Sequence, residues 1–250
     1  MKHKTIISLV AVLAMAATSQ AGLIIFNDTG PTWSGGADGE SATVNKIQGN
    51  LSGALVDYVT GLATGVSYVG MTGESQGASV PATSHPGNLT DFGQVFNGIL
   101  NPAGVYYTRN FHFTITGLDP SKLYEIVLAV NRPSSNNWDG KYRIEDVTDF
   151  VNTSSAGTTI STVAVANDTT TMKNTNDLLG YVPRFTNISP GADGDFTISM
   201  YCVDAAGGGP LPMAYMNGFR LTEVVPEPAT MSLLALGAAA LLRRRKRQTS

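Results

Sequence analysis

Apolar and polar residues alternate along several stretches of the second half of this chain. Phe111, Phe113 and Ile115 alternate with polar neighbours, and the alternation resumes from Tyr124 after a Gly-Leu-Asp-Pro-Ser turn at 117–121. A period of two is typical of a strand with one buried face. The same pattern predicts further strands over 142–147, 159–165, 196–203 and 213–222. Short strands separated by turn residues, without interleaved helices, predict an all-β fold, an antiparallel sandwich or barrel. Of the two, we predict the antiparallel β-sandwich.

The first half of the body is patterned less clearly. Strands are predicted over 23–26 and 66–71, a strand or a short helix over 51–60, and one or two helical turns over 91–100. We expect this half to wrap into the same sandwich, so that residues 22–224 form the β-sandwich body. A chain of that length can bury a full core without disulfides.

The N-terminus has the order of a secretory signal peptide. A basic start at Lys2 and Lys4 precedes an almost unbroken apolar stretch over 6–17, and Ser19-Gln20-Ala21 follows as a small-x-small cleavage pattern. We therefore predict a signal peptide over 1–21 and export of the remaining chain.

The C-terminus has three parts in a fixed order. Pro226-Glu227-Pro228 precedes an apolar run over 229–242, and five consecutive basic residues fill 243–247. The run has 14 residues, which is short against the roughly 20 that span a bilayer. Basic residues stay on the cytoplasmic side. We predict a short C-terminal transmembrane helix with the body outside.

These three parts resemble the PEP-CTERM sorting signal, which here covers 225–250 with Pro226, Glu227 and Pro228 as its motif. The resemblance implies that an exosortase recognises the chain and processes it. It also implies transient anchoring in the inner membrane through the C-terminal helix. The processed protein would then reach the cell envelope or an extracellular matrix, with exopolysaccharide as a further partner.

The second half resembles a second family at the level of pattern. The segments FTITGLDPSKLYEIVLAVNR, KYRIEDV, GDFTISMYCVD and MAYMNGFRLTEV are similar to the jelly-roll modules of many PEP-CTERM proteins, which resemble galactose-binding β-sandwiches. The resemblance covers roughly 105–223 and implies a jelly-roll-like sandwich. It carries little functional information, because such sandwiches support many activities.

Charge and cysteine content narrow the function classes. Residues 22–225 contain nine Lys and Arg against 18 Asp and Glu, a net charge of −9. We expect no nucleic-acid partner, because phosphate binding needs clustered basic residues.

Cys202 is the single cysteine, so the chain has no internal disulfide. Cys202 shares a strand face with Phe196 and Ile198, which predicts a buried thiol.

A catalytic motif is present only in outline. Gly-Glu-Ser-Gln-Gly at 73–77 matches a nucleophile elbow around Ser75, but the prolines that follow prevent the helix that the motif requires. The exported part has two histidines, His85 and His112, and neither has a ligand partner at i+2 or i+4. Both are predicted to be surface residues.

Two segments are candidates for ligand binding. Asp193 and Asp195 flank a glycine in a turn and offer the oxygen ligands that calcium prefers, although a plain Asx turn explains them as well. No other cofactor is expected.

Trp138 lies beside Asn136, Asn137 and Asp139, and a flat apolar ring among amide and carboxylate groups suits a sugar. Alternatively, Trp138 closes one end of the core.

Together these features predict a non-catalytic, exosortase-processed protein of the cell surface or extracellular matrix, with affinity for carbohydrate. The alternative is an extracellular hydrolase acting on polysaccharide or ester substrates, since carboxylate pairs are plentiful.

Overall fold

The computed structural model describes residues 22–29, 45–47, 51–70, 77–79, 88–96, 98–100, 105–108, 110–130, 139–173, 179–203 and 214–225. Leu23–Val224 forms one compact unit. The stretches Met1–Gly22 and Val225–Ser250 form the other, of which only Gly22 and Val225 are described. The predicted signal peptide and C-terminal helix thus lie outside the described residues. No helix in the described ranges is long and apolar enough to cross a membrane.

The described residues form fifteen strands and one helix. In chain order these are β1 Ile24–Asp28, β2 Ser52–Val56, β3 Ala63–Gly70, β4 Gly77–Ser79, α1 Asp91–Phe96, β5 Val105–Thr108, β6 Asn110–Thr116, β7 Leu123–Ala129, β8 Asp139–Glu145, β9 Val147–Asn152, β10 Thr159–Ser161, β11 Thr169–Lys173, β12 Arg184–Pro190, β13 Phe196–Val203, β14 Ala214–Met216 and β15 Gly218–Val224.

Two antiparallel sheets make up most of the body. One has seven strands in the order β10-β11-β8-β13-β6-β3-β2, and the other has five in the order β1-β15-β7-β12-β9. A small third sheet has the order β14-β5-β4. The predicted all-β sandwich is confirmed at this level. The finer likeness to a galactose-binding jelly roll stays a prediction.

The main core lies between the two large sheets. Phe219 of β15 stacks on Tyr68 of β3 and on Phe113 of β6, with ring centroids 5.9 and 5.5 Å apart. All three side chains are fully buried. Since Phe219 belongs to the five-stranded sheet and its two partners to the seven-stranded sheet, these rings pack the sheets face to face. Aromatic pairs in this geometry contribute beyond the area they bury.

Most of the core predicted from alternation is present. Tyr124, Leu128 and Ile198 are buried in the same cluster as Phe113 and Phe219, as predicted. The prediction of a buried thiol at position 202 is wrong. Cys202 is only half-buried because it lies near the end of β13, where its thiol donates a hydrogen bond to the Asp139 carbonyl oxygen at 3.2 Å.

A smaller apolar cluster covers the outer face of the five-stranded sheet. Helix α1 begins after Thr90, whose hydroxyl accepts a hydrogen bond from Gly93 N–H at 3.0 Å, as an N-cap does. Phe92 and Phe96 of α1 pack in one cluster with Phe26 of β1. Because the main core lies on the other side of this sheet, β7 is buried on both faces, which explains its continuous apolar run.

Two of the predicted strands are each divided into two, and a third ends earlier than predicted. Residues 142–147 divide at Asp146, whose φ of 60° ends β8 in one sheet and starts β9 in the other. Residues 213–222 divide at the fully buried Asn217, which donates a backbone hydrogen bond to Ala129 and accepts one from Thr29. Residues 159–165 keep strand structure only to Ser161. At each of these positions the chain passes to another sheet or turns back. The alternation of apolar residues does not predict such positions.

The sandwich has two distinct ends. We call the end where β1 begins and β15 finishes the exit end, since Ile24 there pairs with Thr222 and Val224 with Leu123. The connections 57–62, 117–122, 162–168 and 191–195 lie at the same end, because each joins strands that finish or begin there. We call the opposite end, where β8 begins at Asp139, the cleft end.

Candidate functional site

Asp139 is the described member of the predicted sugar-binding group. It is the first residue of β8, is half-buried, and faces Lys173 of β11 and Val203 of β13 in the strand register. Trp138, Asn136 and Asn137 lie outside the described residues.

A cleft of about 210 Å³ adjoins Asp139 at the cleft end. The Tyr181 ring lies against Gly157, so closely that a Cβ on Gly157 would overlap it. An aromatic ring, hydroxyl groups and both signs of charge therefore line one concavity, which suits a small polar ligand. Its lining residues are Asp139, Gly157, Thr159, Thr171, Met172, Lys173, Leu179 and Tyr181.

Sequence reasoning missed Lys173 and Tyr181. Lys173 ends the Thr-rich strand β11, whose Thr-Thr-Thr-Met-Lys sequence shows no clear apolar alternation. The pairing of Lys173 with Asp139 is a non-local register, and only the assembled sheet reveals it. A run of β-branched threonines was the one available strand signal.

Asp193 and Asp195 lie in the turn between β12 and β13. An Asp193 carboxylate oxygen accepts a hydrogen bond from Asp195 N–H at 3.3 Å, and Asp195 accepts one from Gly117 N–H at 3.3 Å. Gly194 has a φ of 79° and lies so close to the Leu118 carbonyl that a Cβ would overlap it. These contacts are those of an Asx turn. The calcium site stays a prediction.

The residues considered for catalysis are only partly described. His112 is half-buried on β6, where its register partner is Ser199 of β13. Ser75 and His85 lie outside the described residues. Within the described part of the chain, no three His, Cys, Asp or Glu side chains gather as a metal site requires.

A buried carboxylate organises the loop between β10 and β11 at the exit end. Asp168 accepts hydrogen bonds from the backbone N–H groups of residues 163–165 at 2.8 to 3.0 Å. It also accepts one from the Thr169 hydroxyl at 2.8 Å and one from Arg143 Nε at 3.2 Å. Burial alone would raise the pKa of Asp168, but the hydrogen bonds from the backbone of 163–165 and from the Thr169 hydroxyl outweigh it and lower the pKa to about 2.

A second carboxylate organises the β2–β3 hairpin at the same end. Asp57 accepts hydrogen bonds from the N–H groups of Val59 and Thr60 and from the Thr60 hydroxyl through one oxygen. Its other oxygen accepts Ile24 N–H at 2.9 Å, which ties the hairpin to the start of β1. Burial opposes ionisation here too, but the hydrogen bonds prevail and the pKa of Asp57 is lowered.

The fold is an antiparallel sandwich, and the C-terminal segment follows directly from β15, an internal strand of the five-stranded sheet. Residues 224–247 match the PEP-CTERM protein-sorting motif. The match begins at the last residue of β15 and includes Pro226, Glu227 and Pro228. It supports the prediction that the chain is exported, transiently anchored and processed by an exosortase. No curated protein and no solved structure matches this chain.

Proposed function

We propose that this chain is a non-catalytic component of the cell surface or extracellular matrix, released by an exosortase and able to bind carbohydrate. The observation that carries the proposal is the sorting motif at 224–247, which starts where β15 ends. Because β15 is paired on both sides, to β1 and β7, its last residues are held by the sheet. Processing beyond Val224 would then leave the sandwich intact.

The carbohydrate part of the proposal is supported by the cleft. The Tyr181 ring offers an apolar face, Thr159 and Thr171 offer hydroxyl groups, and Asp139 and Lys173 supply an acceptor and a donor. Sugars are bound by this combination of ring stacking and hydrogen bonds. In the sequence, Trp138 directly precedes Asp139 and is proposed to extend the same surface.

The sorting step is tested by replacing Pro226, Glu227 and Pro228 with alanine. Two prolines keep the segment out of helical structure, so the triple variant should remain in the inner membrane fraction instead of being released. Pro120→Ala, which changes an exposed turn proline of the body, is the matched control and should be released normally. Normal release of the triple variant would contradict exosortase processing through this motif.

Carbohydrate binding is tested on a glycan array with residues 22–225. For the glycan bound best, Asp139→Asn should weaken binding by roughly 10- to 150-fold, because one charge-assisted hydrogen bond contributes roughly 1.5 to 3 kcal/mol. Asp149→Asn on β9, which changes an exposed carboxylate that does not line the cleft, should bind as the unmodified protein does. No glycan bound by the unmodified body, or equal binding by both variants, would reject the cleft as a sugar site.

A further inference from the structure

Exposed apolar side chains are concentrated at the exit end. Eleven large apolar side chains are exposed in the described part of the chain, and six of them lie at this end, with exposures between 39% and 68%. They come from the β2–β3 hairpin, the start of β7, the β10–β11 loop and the residue after β15. The six are Val59, Leu62, Leu123, Val163, Val165 and Val225.

The two pairs of exposed apolar residues that lie farthest apart at the exit end belong to loops fixed by hydrogen bonds. Val59 and Leu62 belong to the hairpin organised by Asp57, and Val163 and Val165 belong to the loop organised by Asp168. β2 and β10 are the opposite edges of the seven-stranded sheet. Six strand spacings of about 4.8 Å separate them, roughly 29 Å. The exit end therefore presents two fixed apolar tips, one at each edge.

The chain leaves the body at the exit end, where β15 finishes. Val225 follows the last residue of β15, and only residues 226–228 separate it from the apolar run that begins at Ala229. Four backbone steps span at most about 14 Å. While the run is in the membrane, the exit end is thus confined close to the lipid surface. We propose that the exit end rests on that surface, with both apolar tips inserted in the interfacial region, and that the cleft end faces away.

The charge of the exit end favours insertion of the apolar tips over electrostatic binding to anionic lipid. Asp119, Asp146 and Asp193 are exposed at the exit end, and the exposed Lys122 is paired with Glu223 at 3.0 Å. An acidic surface gains nothing from anionic lipid, whereas apolar side chains gain free energy on leaving water. Contact through the tips should therefore form on neutral phosphatidylcholine. The inference rests on the proposed anchoring, but it concerns which face of the body meets the lipid.

The test uses the exported chain, residues 22–250, in phosphatidylcholine vesicles that contain nitroxide-labelled phosphatidylcholine. In a Cys202→Ser background, an environment-sensitive fluorophore is attached to Val163→Cys or Val59→Cys at the exit end. The matched controls are Leu179→Cys and Leu51→Cys at the cleft end. Val163 and Leu179 are both 53% exposed, so the paired labels start from equal solvent access. Co-flotation of protein with vesicles reports anchoring separately.

Lipid contact predicts blue-shifted emission and nitroxide quenching at positions 163 and 59, with neither at 179 and 51. Equal quenching at all four positions, or at none, in chains that co-float would overturn the inference while leaving the anchoring proposal standing. Quenching that requires added anionic lipid would also overturn it. A blue shift that grows with protein concentration without lipid would instead assign this face to a second copy of the chain. Failure to co-float would reject the anchoring itself, and the inference with it.

Discussion

Replacing Asp168 with asparagine removes the charge that organises the β10–β11 loop. Both carboxylate oxygens accept hydrogen bonds: one from Val163 N–H and the Thr169 hydroxyl, the other from Ala164 and Val165 N–H and from Arg143. An asparagine side chain keeps one oxygen and replaces the other with an NH₂ group. Whichever way the amide turns, at least two donors lose their acceptor.

The expected loss in the free energy of unfolding follows from the lowered pKa of Asp168. The interval between a pKa of 3.8 and one of about 2 corresponds to about 2 kcal/mol of stabilisation of the ionised carboxyl. Orphaned donors add to this loss, so we expect Asp168→Asn to lower the free energy of unfolding by about 2 to 4 kcal/mol at pH 7. For a body of about 200 residues, this lowers the melting temperature by roughly 4 to 16 °C.

The pH dependence has a definite sign. Because folding lowers the pKa of Asp168, its contribution is complete above about pH 5 and is lost as the pH falls toward 2. The difference in melting temperature between the unmodified body and Asp168→Asn should therefore narrow over that interval. Thermal unfolding of residues 22–225, followed by circular dichroism at several pH values, measures it.

The matched control is Asp149→Asn. Asp149 is exposed on β9 and accepts one local hydrogen bond, from Phe150 N–H at 2.9 Å. Its replacement should leave the melting temperature almost unchanged. An Asp168→Asn variant that melts like this control at pH 7, or a difference that stays constant down to pH 2, would refute the electrostatic argument.

Two further predictions concern aromatic side chains. Phe219→Ala should lower the free energy of unfolding by about 3 to 5 kcal/mol, measured by thermal unfolding, because the ring is fully buried between the two sheets. Leu89→Ala is the control and should leave the free energy of unfolding almost unchanged, because that side chain is 92% exposed. Similar losses in the two variants would contradict the core assignment. Trp138→Ala should abolish glycan binding with an unchanged melt if the indole is a sugar platform. A stability loss of about 3 to 5 kcal/mol would instead identify it as part of the core, and a variant unchanged in both measurements would reject both roles.

Local sequence was sufficient to predict several strands and the sorting motif. β6 and β13 follow the predicted alternation closely, because a strand with one face in the core repeats its apolar residues every second position. The sorting motif was also legible, since its order of prolines, apolar run and basic residues is contiguous in the chain. Both signals are local, so no knowledge of distant neighbours was required.

Tertiary structure decided what depends on distant partners. Alternation reports which face of a strand is buried but not which strand lies beside it, so the pairing of Asp139 with Lys173 could not be predicted. The predicted strand over 142–147 is divided at Asp146 because β9 pairs with β12 in the other sheet, a pairing between residues far apart in sequence. The gathering of Val59 and Val163 at one end follows from strand directions across a whole sheet. These features arise from hydrogen bonds and packing between residues far apart in sequence, and only the folded sandwich brings those residues together.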